Sequence, residues 1–402
     1  MKTNKKDTKQ GIVPALRFPE FDNYWDIKEL SKIANLIKER ARNGNYTPMS
    51  VTSGVGLVSQ KEKFGRDISG NQYSSYFVIR KGDFAYNKSA TNLYPEGYIS
   101  MLKKLEIAAV PNSIFTCFKV NRKEVLPEYL DYLFENNYHG KWLRKFIEVG
   151  ARAHGSLSID TKKLFELPIV FPSINEQQKI TDCLASIDAL IKATENKIDE
   201  LKAHKKGLMQ QLFPAEGKSV PALRFPEFQD AGEWKQTTIG AICTISNGKS
   251  NVQDNVQNGK YPLFDRSEII KASNKFLFDC EAIIIPGEGR FIPKYYIGKF
   301  DLHQRAYALK DFTCHALFVY HYIAAFSFIL TQKAVKTTVL SLRMPILEAF
   351  PLLLPNIQEQ QKIANCLSSV DDLITAQTNR LEALRNHKKG LMQQLFPNID
   401  EC

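Results

Sequence analysis

The chain has 402 residues, 44 % hydrophobic and 24 % charged, a balance that excludes wholesale disorder and suits two or three domains, each able to bury a core. Its formal charge of +11 favours a polyanionic partner, nucleic acid first, although a basic solvated surface would give the same total. No apolar run reaches the length of a membrane span, since the longest, Phe318 to Leu330, is short and contains His321 and Ser327.

The opening, Met1-Lys-Thr-Asn-Lys-Lys-Asp7, carries charge with no hydrophobic stretch behind it. No secretory signal is therefore expected, and the chain is placed in the cytoplasm. The tail, 1–21, ends in Val13-Pro-Ala-Leu-Arg-Phe-Pro-Glu-Phe21, which recurs as Val220 to Phe228. A first insert, 22–168, follows. Within it, Tyr76-Phe-Val-Ile-Arg-Lys-Gly-Asp-Phe-Ala-Tyr86 reads as two strands around a Lys-Gly-Asp turn. Leu126 to Phe146 reads as helix from Pro127, with Tyr129, Leu130, Leu133 and Phe134 on one face. The insert closes on a basic, small-residue stretch, Gly150-Ala-Arg-Ala-His-Gly-Ser156.

Residues 169–214 hold one long helix, predicted over 174–213 between Pro172 and Pro214. Its apolar positions, Ile180, Leu184, Ile187, Ile191, Ile198, Leu201, Leu208 and Leu212, alternate by fours and threes around polar Thr194 and Lys205. That is the seam of a left-handed coiled coil. A linker, 215–228, carries the second copy of the short motif. The second insert, 229–351, has a buried-looking strand, Glu281 to Pro286, a Gly287-Glu-Gly-Arg290 turn and a further strand from Lys294 to Ile297. Both inserts read as mixed α/β (α+β) domains with strands first and helix later.

Residues 352–397 repeat 169–214 without a gap, before a short tail, 398–402. His204-Lys-Lys-Gly-Leu-Met-Gln-Gln-Leu-Phe-Pro214 returns unchanged as His387 to Pro397, and Glu176-Gln-Gln-Lys-Ile180 as Glu359 to Ile363, both 183 residues on. The short motif recurs at an offset of 207, so the inserts between the repeats differ in length, and they share almost no sequence. The second seam is Ile363, Leu367, Val370, Ile374, Leu381, Leu384, Leu391 and Leu395, with Gln377 and Lys388 as its polar members. One such helix alone would expose its stripe. The two are expected to pair within the chain, where their effective concentration is high, although packing on their own inserts or pairing between molecules would also cover the stripes. Antiparallel pairing would give a pseudo-twofold rod with one insert at each end.

The candidate contacts follow from charge and hydrogen-bonding shape. Asp301-Leu-His-Gln-Arg-Ala-Tyr307 offers His303, Gln304 and Arg305 for base edges, where Arg suits guanine and Gln suits adenine. Arg152 and His154 take that place in the first insert. Lys88, Ser89, Lys249, Lys294 and Lys336 are candidates for phosphate, which needs only charge and reach. Ser156, Arg290 and Lys333 complete the DNA-binding set. For any one of them the competing reading is a polar strand showing its outer face to water.

Catalytic motifs are not found. No Gly-x-x-x-x-Gly-Lys-Ser/Thr loop exists for ATP, and Gly287-x-Gly289 lacks the third glycine of a dinucleotide site. There is no Asp/Asn-Pro-Pro-Tyr/Phe of an amino-group methyltransferase and no nuclease pattern. His303, His315 and His321 lie near Cys314 without metal-ligand spacing and read as strand and core residues. The seven cysteines (117, 183, 243, 280, 314, 366, 402) are scattered, odd in number and without Cys-x-x-Cys, which argues for reduced thiols and no zinc. A chain without catalytic residues, metal or cofactor of its own is expected.

Pro172-Ser-Ile-Asn-Glu-Gln-Gln-Lys-Ile180 and Pro355-Asn-Ile-Gln-Glu-Gln-Gln-Lys-Ile363 resemble the start of the repeated helices in specificity subunits of type I restriction–modification systems. Lys81-Gly-Asp-Phe-Ala-Tyr86 and the two repeated helix tails look like the same family. The resemblance implies two target-recognition domains, each reading half of a bipartite site in double-stranded DNA. It implies that the helices set the unread spacer and dock two methyltransferase subunits, with a restriction (motor-nuclease) subunit joining them. S-adenosylmethionine, ATP and magnesium would then belong to those partners. The competing classes are a site-specific nuclease or methyltransferase acting alone, and a coiled-coil adaptor for protein partners.

Overall fold

The computed structural model describes residues 12–52, 54–88, 94–146, 160–336 and 339–398. They fall into two compact units, one of Met1–Ala193 with Leu381–Cys402, the other Thr194–Arg380. The two frame helices, Ile174–Leu212 and Ile357–Leu395, run 39 residues each, about 58 Å at 1.5 Å per residue. Each contributes one half to each unit. Their starts are capped: Ser173 Oγ accepts from the Glu176 amide at 3.5 Å and Asn356 Oδ1 from the Glu359 amide at 2.9 Å.

In the first unit the front of the first frame helix lies against the back of the second. Ile180 and Leu184 share a buried cluster with Met392, Leu395 and Phe396, and Lys388 Nζ meets Asp188 at 2.8 Å and Glu135 at 2.7 Å. In the second unit, Leu212 and Phe213 pack with Ile363, Ala364 and Leu367, and Lys205 Nζ meets both Asp371 oxygens at 2.6 Å. The helices therefore pair antiparallel. Of the seam positions, Ile180, Leu184, Ile187, Ile198, Leu212, Ile363, Leu367, Val370 and Leu395 are buried. Ile191, Leu201, Leu208, Ile374, Leu381, Leu384 and Leu391 are half-buried, while Leu190 and Leu373, off the stripe, are exposed.

The short motif is a strap across the start of each frame helix. Arg17 forks onto Glu176 at 2.7 and 2.8 Å, and Arg224 onto Glu359 at 2.7 Å through both nitrogens. Lys179 and Lys362 lie over the Phe18 and Phe225 rings and pair with Glu20 and Glu227 at 3.1 Å. The first glutamine of each Glu-Gln-Gln-Lys is buried. Gln177 donates to the Pro172 and Glu124 carbonyls and accepts from the Leu126 amide; Gln360 donates to Pro355 and accepts from the His315 amide. The backbone closes the strap at the opposite helix's tail, Leu16 N–H on the Gln394 carbonyl at 3.0 Å and Leu223 N–H on that of Gln211 at 2.9 Å.

The first insert holds a four-stranded sheet in the order Ala34–Leu36, Phe115–Val120, Phe84–Asn87, Tyr98–Met101, with the pairs Met49–Thr52/Gly56–Ser59 and Phe77–Arg80/Ile107–Val110 beside it. The two strands expected around Lys81-Gly-Asp83 are present but do not form a hairpin. Phe77–Arg80 pairs with Ile107–Val110, and Phe84–Asn87 with its two sheet neighbours. Asp83 accepts from the Arg80 amide at 2.7 Å and Gly82 takes φ +88°, so the turn passes the chain from one sheet to the other. The helix expected over 126–146 is also broken. It runs Pro127–Glu135, stops at Asn137 with φ +55°, and resumes as Tyr138–Leu143. A left-handed residue cannot continue the ladder, yet Tyr129, Leu130, Leu133 and Phe134 are all buried as their spacing requires.

The second insert is a six-stranded sheet ordered Thr244–Asn247, Ala306–Lys310, Phe278–Pro286, Lys294–Leu302, Tyr261–Phe264, Lys271–Ser273. The apolar run Phe318 to Leu330 lies inside the helix Ala316–Lys333, packed on that sheet and on Phe213, which sits 5.6 Å from the Phe318 ring and 5.2 Å from Tyr322. Among the described residues no helix is long and apolar enough to cross a membrane. His315 caps this helix by accepting from the Phe318 amide, and His321 is buried against Ser368.

Glu359→Ala would leave Arg224 almost wholly buried without its counter-charge, a loss of about 3–5 kcal/mol by urea unfolding; Glu20→Ala, which breaks an exposed pair, should leave the midpoint in place. Burial holds the His139 imidazole down at about 4, and burial with the Lys205 charge holds His321 at about 3. The unfolded chain binds those protons near pH 6.5 and the native chain does not, so stability must fall as pH drops below about 6.5. His321→Gln should flatten that slope by about 1.4 kcal/mol per pH unit; an unchanged slope would contradict the burial.

Candidate nucleic-acid interface

The second insert gathers its polar residues around one tight turn, His303-Gln304-Arg305, between the strands Lys294–Leu302 and Ala306–Lys310. Three other loops converge on it. From the first, the Lys249 and Ser250 amides donate to the Leu302 carbonyl at 3.1 and 3.0 Å, and the Gln304 amide returns to Ser250 at 2.8 Å. From the second, the Gly287 amide donates to the Arg305 carbonyl at 2.8 Å, so closely that a Cβ there would come within 2.4 Å of that oxygen. The third leaves Phe264, whose carbonyl accepts from the His303 amide at 2.9 Å. Beneath the turn, buried Asp301 accepts from the Ser250 and Ser273 hydroxyls at 2.7–2.9 Å. These bonds make the turn a rigid mount for its side chains.

Those side chains line a polar cleft of about 470 Å³ with Asn251, Gln253, Asp265, Arg266 and Glu288, and Gln304 and Arg305 also border a second, of about 400 Å³, with Asn247 and Arg343. Glu288 stands between two arginines, 2.6 Å from Arg305 and 3.5 Å from Arg266. Gln304 donates to Asn251 at 2.6 Å, and His303 Nδ1 accepts from the Arg305 amide at 3.1 Å. Partial burial lowers the His303 imidazole below its usual range. The cleft thus offers guanidinium forks, amides and a carboxylate on a fixed frame, the groups that read base edges.

The sequence-based candidates distribute unevenly. Lys249, His303, Gln304 and Arg305 meet at the turn. Lys294 is half-buried, over the Phe264 ring, with its ammonium donating to the Ser267 carbonyl at 2.6 Å, and burial lowers its pKa. Arg290 is exposed, 3.5 Å from Glu268. Lys333 and Lys336 are exposed at the end of a helix and on the strand Val335–Lys336, which pairs with Leu340–Ser341. In the first insert, Lys88 is half-buried just past the strand Phe84–Asn87; Ser89, Arg152, His154 and Ser156 lie outside the described residues. Sequence reasoning missed Asn251, Arg266 and Glu288. The only signal for Glu288 was its place between two glycines, and Asn251 and Arg266 are far from the turn in sequence.

A family model described as "Type I restriction modification DNA specificity domain" matches residues 22–203 and 231–386. The chain belongs to that family. Specificity subunits are the non-catalytic, DNA-recognising component of their systems. A curated relative from Methanocaldococcus jannaschii, the MjaX specificity subunit of a type I restriction enzyme, is 26 % identical over 98 % of this chain and 96 % of its own length. The EcoDI specificity subunit of Escherichia coli is 29 % identical over 41 % of this chain, a match spanning 37 % of that relative. A solved type I restriction–modification S subunit from M. genitalium shares the fold, with a TM-score of 0.60 at 15 % identity over 96 % of this chain and 99 % of that one.

Arg305→Ala should cost about 1–3 kcal/mol on one cognate base pair and relax the choice there. Lys336→Ala should weaken all sequences alike and reduce the salt dependence. Competition binding across single-base variants of the target separates the two. Equal loss on every sequence for Arg305→Ala would remove it from base reading.

Proposed function

We propose that this chain is the sequence-reading subunit of a type I restriction–modification complex acting on a bipartite target in double-stranded DNA. Residues 22–168 and 229–351 each read one half-site, and the frame segments 169–214 and 352–397 fix the distance between them. The observation that carries this reading is the doubling. The family match falls in two stretches, each taking in one insert with part of the frame, and the segment that leads into each insert is held to the frame by the same Arg–Glu fork.

Two methyltransferase subunits dock on the frame, and a restriction subunit joins the assembly. Methyl transfer from S-adenosylmethionine and ATP- and magnesium-dependent cleavage are theirs, in the cytoplasm. Support comes from the names of the relatives, which are subunits of type I restriction enzymes, and from the frame's repeated, exposed helix faces, which offer equivalent surfaces twice. On this chain the DNA-contacting groups are those at the His303 turn with Arg290, Lys294, Lys333 and Lys336 in the second insert, and Lys88, Ser89, Arg152, His154 and Ser156 in the first; of these Lys88, Ser89, Lys249, Lys294 and Lys336 meet phosphate rather than bases.

Exchange of residues 229–351 for the second insert of another family member tests the division. Methylation mapping in cells carrying the hybrid and its methyltransferase should show one half-site changed, the other half-site and the spacer intact. A change in both halves would contradict independent reading.

A further inference from the structure

Beside the His303 turn stands a loop, Asp265 to Ile270, between the strands Tyr261–Phe264 and Lys271–Ser273. It is pinned from within. The buried Asp265 carboxylate accepts from the Ser267 amide at 2.8 Å and pairs with Lys271 Nζ at 2.6 Å. The Ser267 hydroxyl shares its proton between Asp265 Oδ1 at 2.5 Å and the Ile269 carbonyl at 2.8 Å, and Lys294 Nζ holds the Ser267 carbonyl. On this fixed loop Ile269 is 80 % exposed, with Ile270 at 52 %. An isolated exposed isoleucine is ordinary on a protein surface. This one differs in its mount, because the bonds that hold the loop keep the side chain out in water, where a slack loop could turn it inward.

Its neighbours say what could cover it. Arg266 on the same loop lines the cleft with His303, Gln304 and Arg305, and Glu268 pairs with Arg290 at 3.5 Å. Lys271 and Lys294 tether the loop. An apolar tip beside exposed guanidiniums, Arg266 on its own loop and Arg290 paired with Glu268, fits a polyanion that presents an apolar group between its charges. In the major groove that group is the 5-methyl of thymine, which lies at the level where guanidinium forks reach guanine.

We propose that Ile269 packs against a thymine methyl in the half-site read by the second insert, making it a specificity-determining residue. The inference rests on the reading that this insert faces DNA. The test uses the full chain with its methyltransferase and duplexes of the mapped target in which each thymine of that half-site is replaced, one at a time, by uracil. Uracil removes the methyl and leaves the pairing edge intact. Losing one buried methyl should weaken wild-type binding about threefold to fourfold at one position. Ile269→Ala should bind the thymine duplex weaker by a similar factor and no longer sense that uracil. An Ile269→Ala chain that senses every uracil as the wild type does, a wild type that senses none, or a half-site without an A·T pair would overturn the proposal. Arg305→Ala, run alongside, separates the two levels. If it still loses discrimination, the insert reads DNA without Ile269; if it too behaves as wild type on every duplex, the DNA face itself is misplaced.

Discussion

The constraint on which the structure depends is that two nearly identical helices must cover each other. A repeated sequence paired in parallel would set equal residues side by side, Lys205 against Lys388 and Asp188 against Asp371, like charge against like. Paired antiparallel, each lysine meets the aspartate of the facing helix, Lys205 on Asp371 and Lys388 on Asp188. The apolar stripes alone would accept either direction. The polar interruptions choose, and buried or half-buried charges in a helical seam set orientation in this way at some cost in stability.

The second constraint is the strap. Without it the fully buried Glu176 and Glu359 would be isolated charges at the helix starts, which burial would not tolerate unpaired. The arginine fork meets both carboxylate oxygens in each case. Because each strap also bonds the tail of the opposite helix, it ties three segments of sequence into each unit. The inserts can then differ freely, since nothing in the fork, the buried glutamine or the strap depends on what the insert reads.

Much of this was legible from repetition. Equal offsets exposed the frame, the alternation of fours and threes placed the seam, and flanking prolines bounded helices that run Ile174–Leu212 and Ile357–Leu395. The purpose of the short motif was not legible, because Arg17 and Glu176 are 159 residues apart and no local pattern joins them. The two strands around the Lys81-Gly-Asp83 turn were legible, but their partners were not, since periodicity reports strands and not which strands pair. Asn137 broke a helix whose apolar spacing continued through it. At the candidate interface, sequence singled out the turn His303–Arg305, where polar types cluster in a row. It could not find Glu288 or Arg266, which tertiary folding alone brings to the same cleft.

In the proposed function the frame is also the ruler, and its length can be changed without touching a reader. Duplicating the heptad Ile187–Ala193 together with the heptad that faces it, Ala383–Lys389, keeps both seams in phase and lengthens the pair by about 10 Å. At about 3.4 Å per base pair, methylation mapping should then show the unread spacer longer by about three pairs, with both half-site sequences unchanged. An active variant that still methylates only the original spacing would contradict the account.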